Sequence, residues 1–117
     1  VNYLETSTIN TQTAPPDRRR NPRIQIGVPV EFKTEAASAA SHTQTSDLSL
    51  GGCYLEMNFT LPVGTEVEMV LWLDDERVEA RARVATHHPS FGNGLCFIRM
   101  RAEDQRKLEK FVNRHSE

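Results

Sequence analysis

Residues 66–85, "EVEMVLWLDDERVEARARVA", decide the fold. "EVEMVLWL" reads as one strand, "DDE" as a hairpin turn, and "RVEARARVA" as a second strand. In the second run Val78, Ala80, Ala82 and Val84 share one face while Glu79, Arg81 and Arg83 take the other, the period-two signature of a sheet wetted on one side. Two strands with so short a connection form an antiparallel pair. The outward charges read as solvated positions that keep the sheet soluble. Trp72, inside "MVLWL", reads as a core residue.

Working outward, "IQIGVPVEF" (24–32) sets Ile24, Ile26, Val28, Val30 and Phe32 on one face of a further strand, with Pro29 outward at an edge or bend. "TEAASAASH" (34–42) reads as a loop of small residues. "TQTSDLSL" and "CYLEM" flank Gly51-Gly52, a pair expected to reverse the chain through positive φ. "LPVGTEV" is a proline and glycine turn. "GNG" (92–94) reads as a hairpin turn leading into the last strand, "LCFIRM". In "AEDQRKLEKFVNRH" (102–115), Leu108, Phe111 and Val112 follow helical spacing, with Glu103 and Asp104 in the first turn and Arg114 near the end, matching the helix dipole. One apolar stripe implies docking on the sheet. Around six short strands and one terminal helix make a mostly β chain, a small antiparallel barrel.

The chain has 117 residues, enough for one modest core. A hydrophobic fraction of 38%, a charged fraction of 26% and a formal net charge of -2 fit a soluble globular protein and exclude a broad basic nucleic-acid footprint. No apolar run approaches the ~20 residues that cross a bilayer. Cys53 and Cys96 sit in apolar surroundings without metal or disulfide spacing, and read as buried, reduced thiols of a cytoplasmic protein. Residues 1–16, rich in Ser, Thr and Asn and closing on Pro15-Pro16, read as a disordered tail or linker. The chain opens on Val1, which is expected of a piece of a longer protein.

The chemistry concentrates elsewhere. Arg18, Arg19, Arg20 and Arg23 fall within six positions, and the chain holds 11 arginines against 3 lysines. The planar guanidinium fork suits bidentate contacts to phosphate or to the O6 and N7 edge of guanine. Asn21-Pro22 forbids a regular helix through this stretch, so an irregular, flexible arm is expected. A second element, "SDLSLGG" (46–52), offers Asp47 as acceptor, Ser49 as donor or acceptor, and Gly52 for close backbone approach. Alone, that element is an ordinary turn.

Together, RxxxR (Arg19, Arg23), a strand, and D-x-S-x-x-G (Asp47, Ser49, Gly52) resemble the PilZ domain over residues 17–114. "GNGLCF", with Gly94 and Phe97, resembles a recurrent strand of that family. The resemblance implies a six-stranded antiparallel barrel with a C-terminal helix and a flexible N-terminal arm. It also implies a non-enzymatic receptor for the bacterial second messenger cyclic di-GMP. Arg19 and Arg23 would grip phosphate or guanine, Asp47 and Ser49 would meet a guanine, and Gly52 would leave room for the base. Arg18 would stack between purines and favour an intercalated pair of messengers, while Arg20 would steer phosphate or face solvent.

The partner is an effector protein or fused domain that the sequence does not name, and no cofactor beyond the ligand is expected. His42, His87, His88 and His115 form no metal pattern and read as surface residues. Ser49 has neither a G-x-S-x-G elbow nor a local histidine, which argues against catalysis. Two alternatives stay open: a PilZ-like interaction module that binds no messenger, and a barrel that binds single-stranded nucleic acid. The second requires aromatics among the basic residues, and none occurs between Tyr3 and Phe32.

Overall fold

The computed structural model describes residues 23–116. Expectations placed on the tail, and on Arg18, Arg19 and Arg20, lie outside the described residues. Six strands, β1 (Pro29–Thr34), β2 (Ser41–Leu48), β3 (Gly52–Glu56), β4 (Glu66–Leu73), β5 (Glu76–His88) and β6 (Gly92–Arg99), precede one helix, α1 (Ala102–His115). The strands close into an antiparallel barrel in the order β1-β2-β3-β6-β5-β4, with β1 meeting β4 from Val30 opposite Leu71 to Thr34 opposite Val67. Closure leaves no open sheet edge.

The β4–β5 hairpin anchors the barrel. Its register runs unbroken from Glu66 opposite Arg83 to Leu73 opposite Glu76, turning on Asp74-Asp75 with Asp74 at φ 60°. An aspartate tolerates this left-handed conformation better than most side chains. Val67, Met69, Leu71 and Leu73 face inward with Val78, Ala80, Ala82 and Val84. That phase puts Trp72 on the outer face, 36% exposed, so the core placement expected for it is wrong. Strand alternation overrides the hydrophobicity of a single residue.

Leu108, Phe111 and Val112 of α1 join the same core, and the helix packs on β5 and β4. Lys107 Nζ donates to the Arg77 carbonyl at 3.3 Å, and Arg114 Nη1 to Asp74 Oδ2 at 2.6 Å, tying both halves of the helix to the hairpin. Asp104, in the first turn as expected, is buried and accepts from Arg101 Nε at 2.9 Å, which holds the Arg101 guanidinium above its ordinary range. No helix among the described residues is long and apolar enough to cross a membrane.

One strand boundary and two turn expectations change. Residues 24–28 keep their alternation, but β1 begins only at Pro29. The chain before it is held to β2 by reciprocal Ile24–Leu48 backbone bonds of 2.9 Å. Buried Thr45 adds a second tie, its Oγ1 donating to the Ile26 carbonyl and accepting from the Val28 N–H. The last hairpin turns at Pro89–Phe91, with Ser90 at φ 69°, and Gly92–Gly94 lie within β6. Asn93, read as a turn residue, is fully buried. It accepts from the Leu61 N–H and donates to the Leu61 and Thr86 carbonyls, pinning the β3–β4 loop to the barrel.

Neither Gly51 nor Gly52 has positive φ. Instead, the reversal is built by Ser49: its N–H donates to the Gly52 carbonyl at 2.8 Å, and its hydroxyl accepts from the Gly51 N–H at 3.1 Å. A serine hydroxyl closing on nearby backbone is a common turn device. Gly52 is required for space, because a Cβ there would lie 2.0 Å from the Leu95 carbonyl oxygen.

Candidate functional site

Two irregularities in the ladder create the site. Thr45 pairs with Leu55, yet Asp47 pairs with Tyr54, so Ser46 is an extra residue in β2. Strict alternation from buried Thr45 would point Asp47 inward; the bulge resets the phase, burying Leu48 and turning Asp47 out. Ala85 is the corresponding extra residue in β5, between the Val84–Leu95 and Thr86–Gly94 pairs, and it turns Thr86 out. Asp47, Tyr54, Gly94 and Thr86 thereby form one transverse row across β2, β3, β6 and β5. Gly52 and Cys96 face each other in the next outward row.

Around these rows lies a groove of about 470 Å³, lined by Arg23, Asp47, Ser49, Gly52 and Tyr54 on one side and by Thr86, His88, Gly94 and Cys96 on the other. That volume falls within the range of small-molecule sites. Arg23, Asp47, Ser49 and Gly52, four of the six residues singled out from the sequence, thus come together. Arg18 and Arg19, the other two, lie outside the described residues. Arg23 sits one residue before the Ile24–Leu48 bridge, which brings its Nε to 4.0 Å from Asp47 Oδ1. This is a loose pair, and the Arg23 side chain is 54% exposed. Water screens such a contact heavily, so a ligand displaces it at little cost.

Arg81 and Arg83, the outward arginines of β5, are engaged by glutamates of β4. Arg81 donates through Nε to Glu66 at 3.1 Å and also pairs with Glu68, while Arg83 donates to Glu66 at 2.8 Å. Hydrogen bonds from Arg83 and then Arg81 hold the Glu66 carboxyl below its ordinary value, and the Arg81 guanidinium is raised in turn by Glu66. Among the described residues lining the groove, Arg23 is the arginine.

The two cysteines part company. Cys53 is buried, and burial, reinforced by the nearby Asp47 carboxylate, pushes its thiol up to about 12. Cys96 is exposed on the groove wall, contrary to the expectation that both are buried, because it shares the outward row of Gly52. The four histidines named from the sequence are exposed. Two of them have hydrogen-bond partners: Tyr54 Oη lies 3.0 Å from His88 Nδ1, and Thr60 Oγ1 lies 2.7 Å from His87 Nε2.

Tyr54, Thr86, His88 and Cys96 are lining residues that sequence reasoning missed. Tyr54 had a signal, standing two positions after Gly52 and hence on the same strand face. Thr86 had none, since the bulge that exposes it leaves no mark in the pattern.

A family model described as the PilZ domain matches residues 17–114. Among solved structures, the chain is similar to the Bacillus subtilis inhibitor of motility MotI/DgrA, at 18% identity and a TM-score of 0.74 over 85% of this chain and 51% of that one. It is similar to the PilZ domain with c-di-GMP of YcgR from Escherichia coli, at 15% identity and a TM-score of 0.68 over 85% of this chain and 92% of that one. A third similarity is to the K. pneumonia MrkH–c-di-GMP complex, at 20% identity and a TM-score of 0.69 over 83% of this chain and 51% of that one. The chain spans about half the length of MotI/DgrA and of MrkH. No curated protein matches it in sequence.

Proposed function

The chain belongs to the PilZ domain family, and from that membership we propose that residues 17–114 are a receptor unit for cyclic di-GMP. The single observation that carries this reading is the convergence of Arg23, Asp47, Ser49 and Gly52 on one groove. Those residues come from two separate stretches of chain, and each has a part to play toward the ligand. Arg23 meets phosphate or the guanine Hoogsteen edge with a two-pronged donor. Asp47 accepts from guanine N1 and N2. Ser49 holds the turn that presents Asp47, and Gly52 leaves the base room to approach. YcgR and MrkH, whose folds this chain resembles, are described in complex with the same messenger.

Arg19 lies four residues before Arg23, and an extended chain of that length reaches about 14 Å. On this reading Arg19 takes a phosphate, and Arg18 stacks between purines of an intercalated messenger pair. Engagement of Arg18, Arg19 and Arg23 sets the course of the residues ahead of β1, and that course is the signal passed to an effector protein or fused domain. The reading places the chain in the cytoplasm as a binding module without catalysis of its own.

Titration calorimetry with cyclic di-GMP tests it. The expected result is binding by the wild-type chain at two messengers per chain, weakened at least tenfold in Arg23→Ala and in Arg19→Ala, since truncating one partner of a charge-assisted contact costs about 2 kcal/mol or more. Undiminished binding by both variants overturns the assignment of the site. Binding at one messenger per chain overturns the pair.

A further inference from the structure

The groove has a wall that neither motif supplies. Tyr54 stands on the outer face of β3, opposite Asp47 of β2 and Gly94 of β6. Its ring lies down over β6. A Cβ at Gly92 would come 2.8 Å from Tyr54 Cε2, and a Cβ at Gly94 would come 3.7 Å from Cδ1, on the opposite edge of the ring. The two glycines are what let the ring settle there. With one face against the β6 backbone, the half-buried ring turns its other face to the groove it lines. His88 braces the arrangement: its Nδ1 is 3.0 Å from the phenol oxygen, and the two rings sit 5.7 Å apart at 41°.

We propose that Tyr54, braced by His88, is a stacking platform for a purine base in the groove, taking a guanine that Asp47 does not hold. This rests on the cyclic di-GMP reading above. The platform and Asp47 are neighbours across one strand spacing, about 4.8 Å, so a ligand anchored by phosphate at Arg23 reaches both. Their tasks differ. Stacking is tolerant of base identity and supplies affinity, whereas Asp47 reads the donor pattern and supplies selectivity for guanine.

Aromatic side chains also cover cross-strand glycines for purely structural reasons. Two features go beyond cover: the open ring face fronts a groove that also holds Arg23 and Asp47, and the hydroxyl is tethered rather than left to water. Tyr54 and His88 are therefore positioning and binding groups of the ligand site, with Tyr54 making the contact.

The test combines calorimetry with proton NMR of cyclic di-GMP bound to wild type, Tyr54→Phe, Tyr54→Leu and His88→Ala. A stacked guanine shows an upfield ring-current shift of its H8 resonance and cross-relaxation with the Tyr54 ring protons. The expected result is that Tyr54→Phe keeps the H8 shift, while Tyr54→Leu, which still covers the glycines, loses it and binds about tenfold more weakly. His88→Ala keeps the shift and weakens binding about threefold, the loss expected for one neutral hydrogen bond.

Tyr54→Leu binding within twofold of wild type, with the same H8 shift, overturns the platform and leaves the receptor reading intact. So does a wild-type complex without cross-relaxation between guanine H8 and the Tyr54 ring, an observation that needs no variant to fold. No binding by the wild-type chain overturns both readings.

Discussion

The two flanks of the barrel follow different rules. Where β4 meets β5, pairing is unbroken from end to end, and the outward acids Glu66 and Glu68 stand opposite Arg83 and Arg81. Where β2, β3 and β6 meet, the ladder carries a bulge, three glycines line up on the strands, and the outward acid Asp47 has only a loose partner in Arg23. β5 belongs to both regions, regular along β4 and bulged along β6. Regularity satisfies charges locally and leaves nothing for a ligand. Irregularity turns side chains out of phase and leaves polar groups unmatched, which is what a binding site requires.

The contrast is broken most severely at Gly52. Val at this position drives a Cβ into the Leu95 carbonyl, 2.0 Å away, and backbone on backbone has no rotamer to yield. Gly52→Val is expected to lose about 3 kcal/mol in urea unfolding, the upper end of overpacking costs, together with ligand binding. On the regular flank, Val70→Thr on the outer part of β4 is expected to stay within about 0.5 kcal/mol of wild type. Equal costs at the two positions would mean that the flanks do not differ in tolerance.

The same contrast explains what was legible in the amino-acid sequence. The regular flank was open to reading, because Val78, Ala80, Ala82 and Val84 alternate without interruption and α1 keeps its stripe from Leu108 to Val112. Even Trp72 carried its answer, being out of phase with Leu71 and Leu73. The site was legible only where a motif marked it, at Arg23, Asp47, Ser49 and Gly52. Bulges depend on how strands pair, and pairing between β3 and β6 joins residues some forty positions apart. So the direction of Thr86, the exposure of Cys96 and the burial of Asn93 followed from neighbours that local pattern does not name. Gly52 was singled out for close approach to a ligand, and the structure shows a close approach to the Leu95 carbonyl; the positive φ attached to the glycine pair was wrong, since Ser49 makes the turn without it.

A second prediction uses the cysteines as reporters of the two sides of the β3–β6 wall. Cys53 points into the core with its thiol pushed up to about 12, so it stays protonated and shielded; Cys96 points into the groove. The thiolate is the reactive form, and access governs the rest. Iodoacetamide at pH 8 followed by peptide mass analysis is expected to label Cys96 and spare Cys53 in the folded chain, with cyclic di-GMP slowing Cys96 labelling severalfold. Labelling of Cys53 at the rate of Cys96 would show that the wall is open from both sides. Unslowed labelling of Cys96 by a saturating ligand would place the ligand away from Gly52.

The smallest effect belongs to the charged ladder, and it sharpens the comparison through its sign. Glu66 is held below its ordinary value of 4.5 by hydrogen bonds from Arg83 and Arg81. A carboxyl whose folded value is depressed binds fewer protons in the native state, so its contribution to stability is complete above pH 4.5 and disappears as pH falls through the lower folded value. Because the pairs are solvent-exposed, salt screens them and their contribution is small. Urea unfolding of wild type and Glu66→Gln is expected to differ slightly at pH 7, to converge as pH falls below 4.5 through the lower folded value, and to converge also at high salt. Ligand affinity is expected to be the same in both, since the Arg81 and Arg83 side chains are engaged by Glu66 and Glu68 of β4, although Arg83 stands opposite Cys96 of the groove wall. A Glu66→Gln variant that bound cyclic di-GMP more tightly would show that the ladder restrains arginines the groove can recruit, and the division between the flanks would fall.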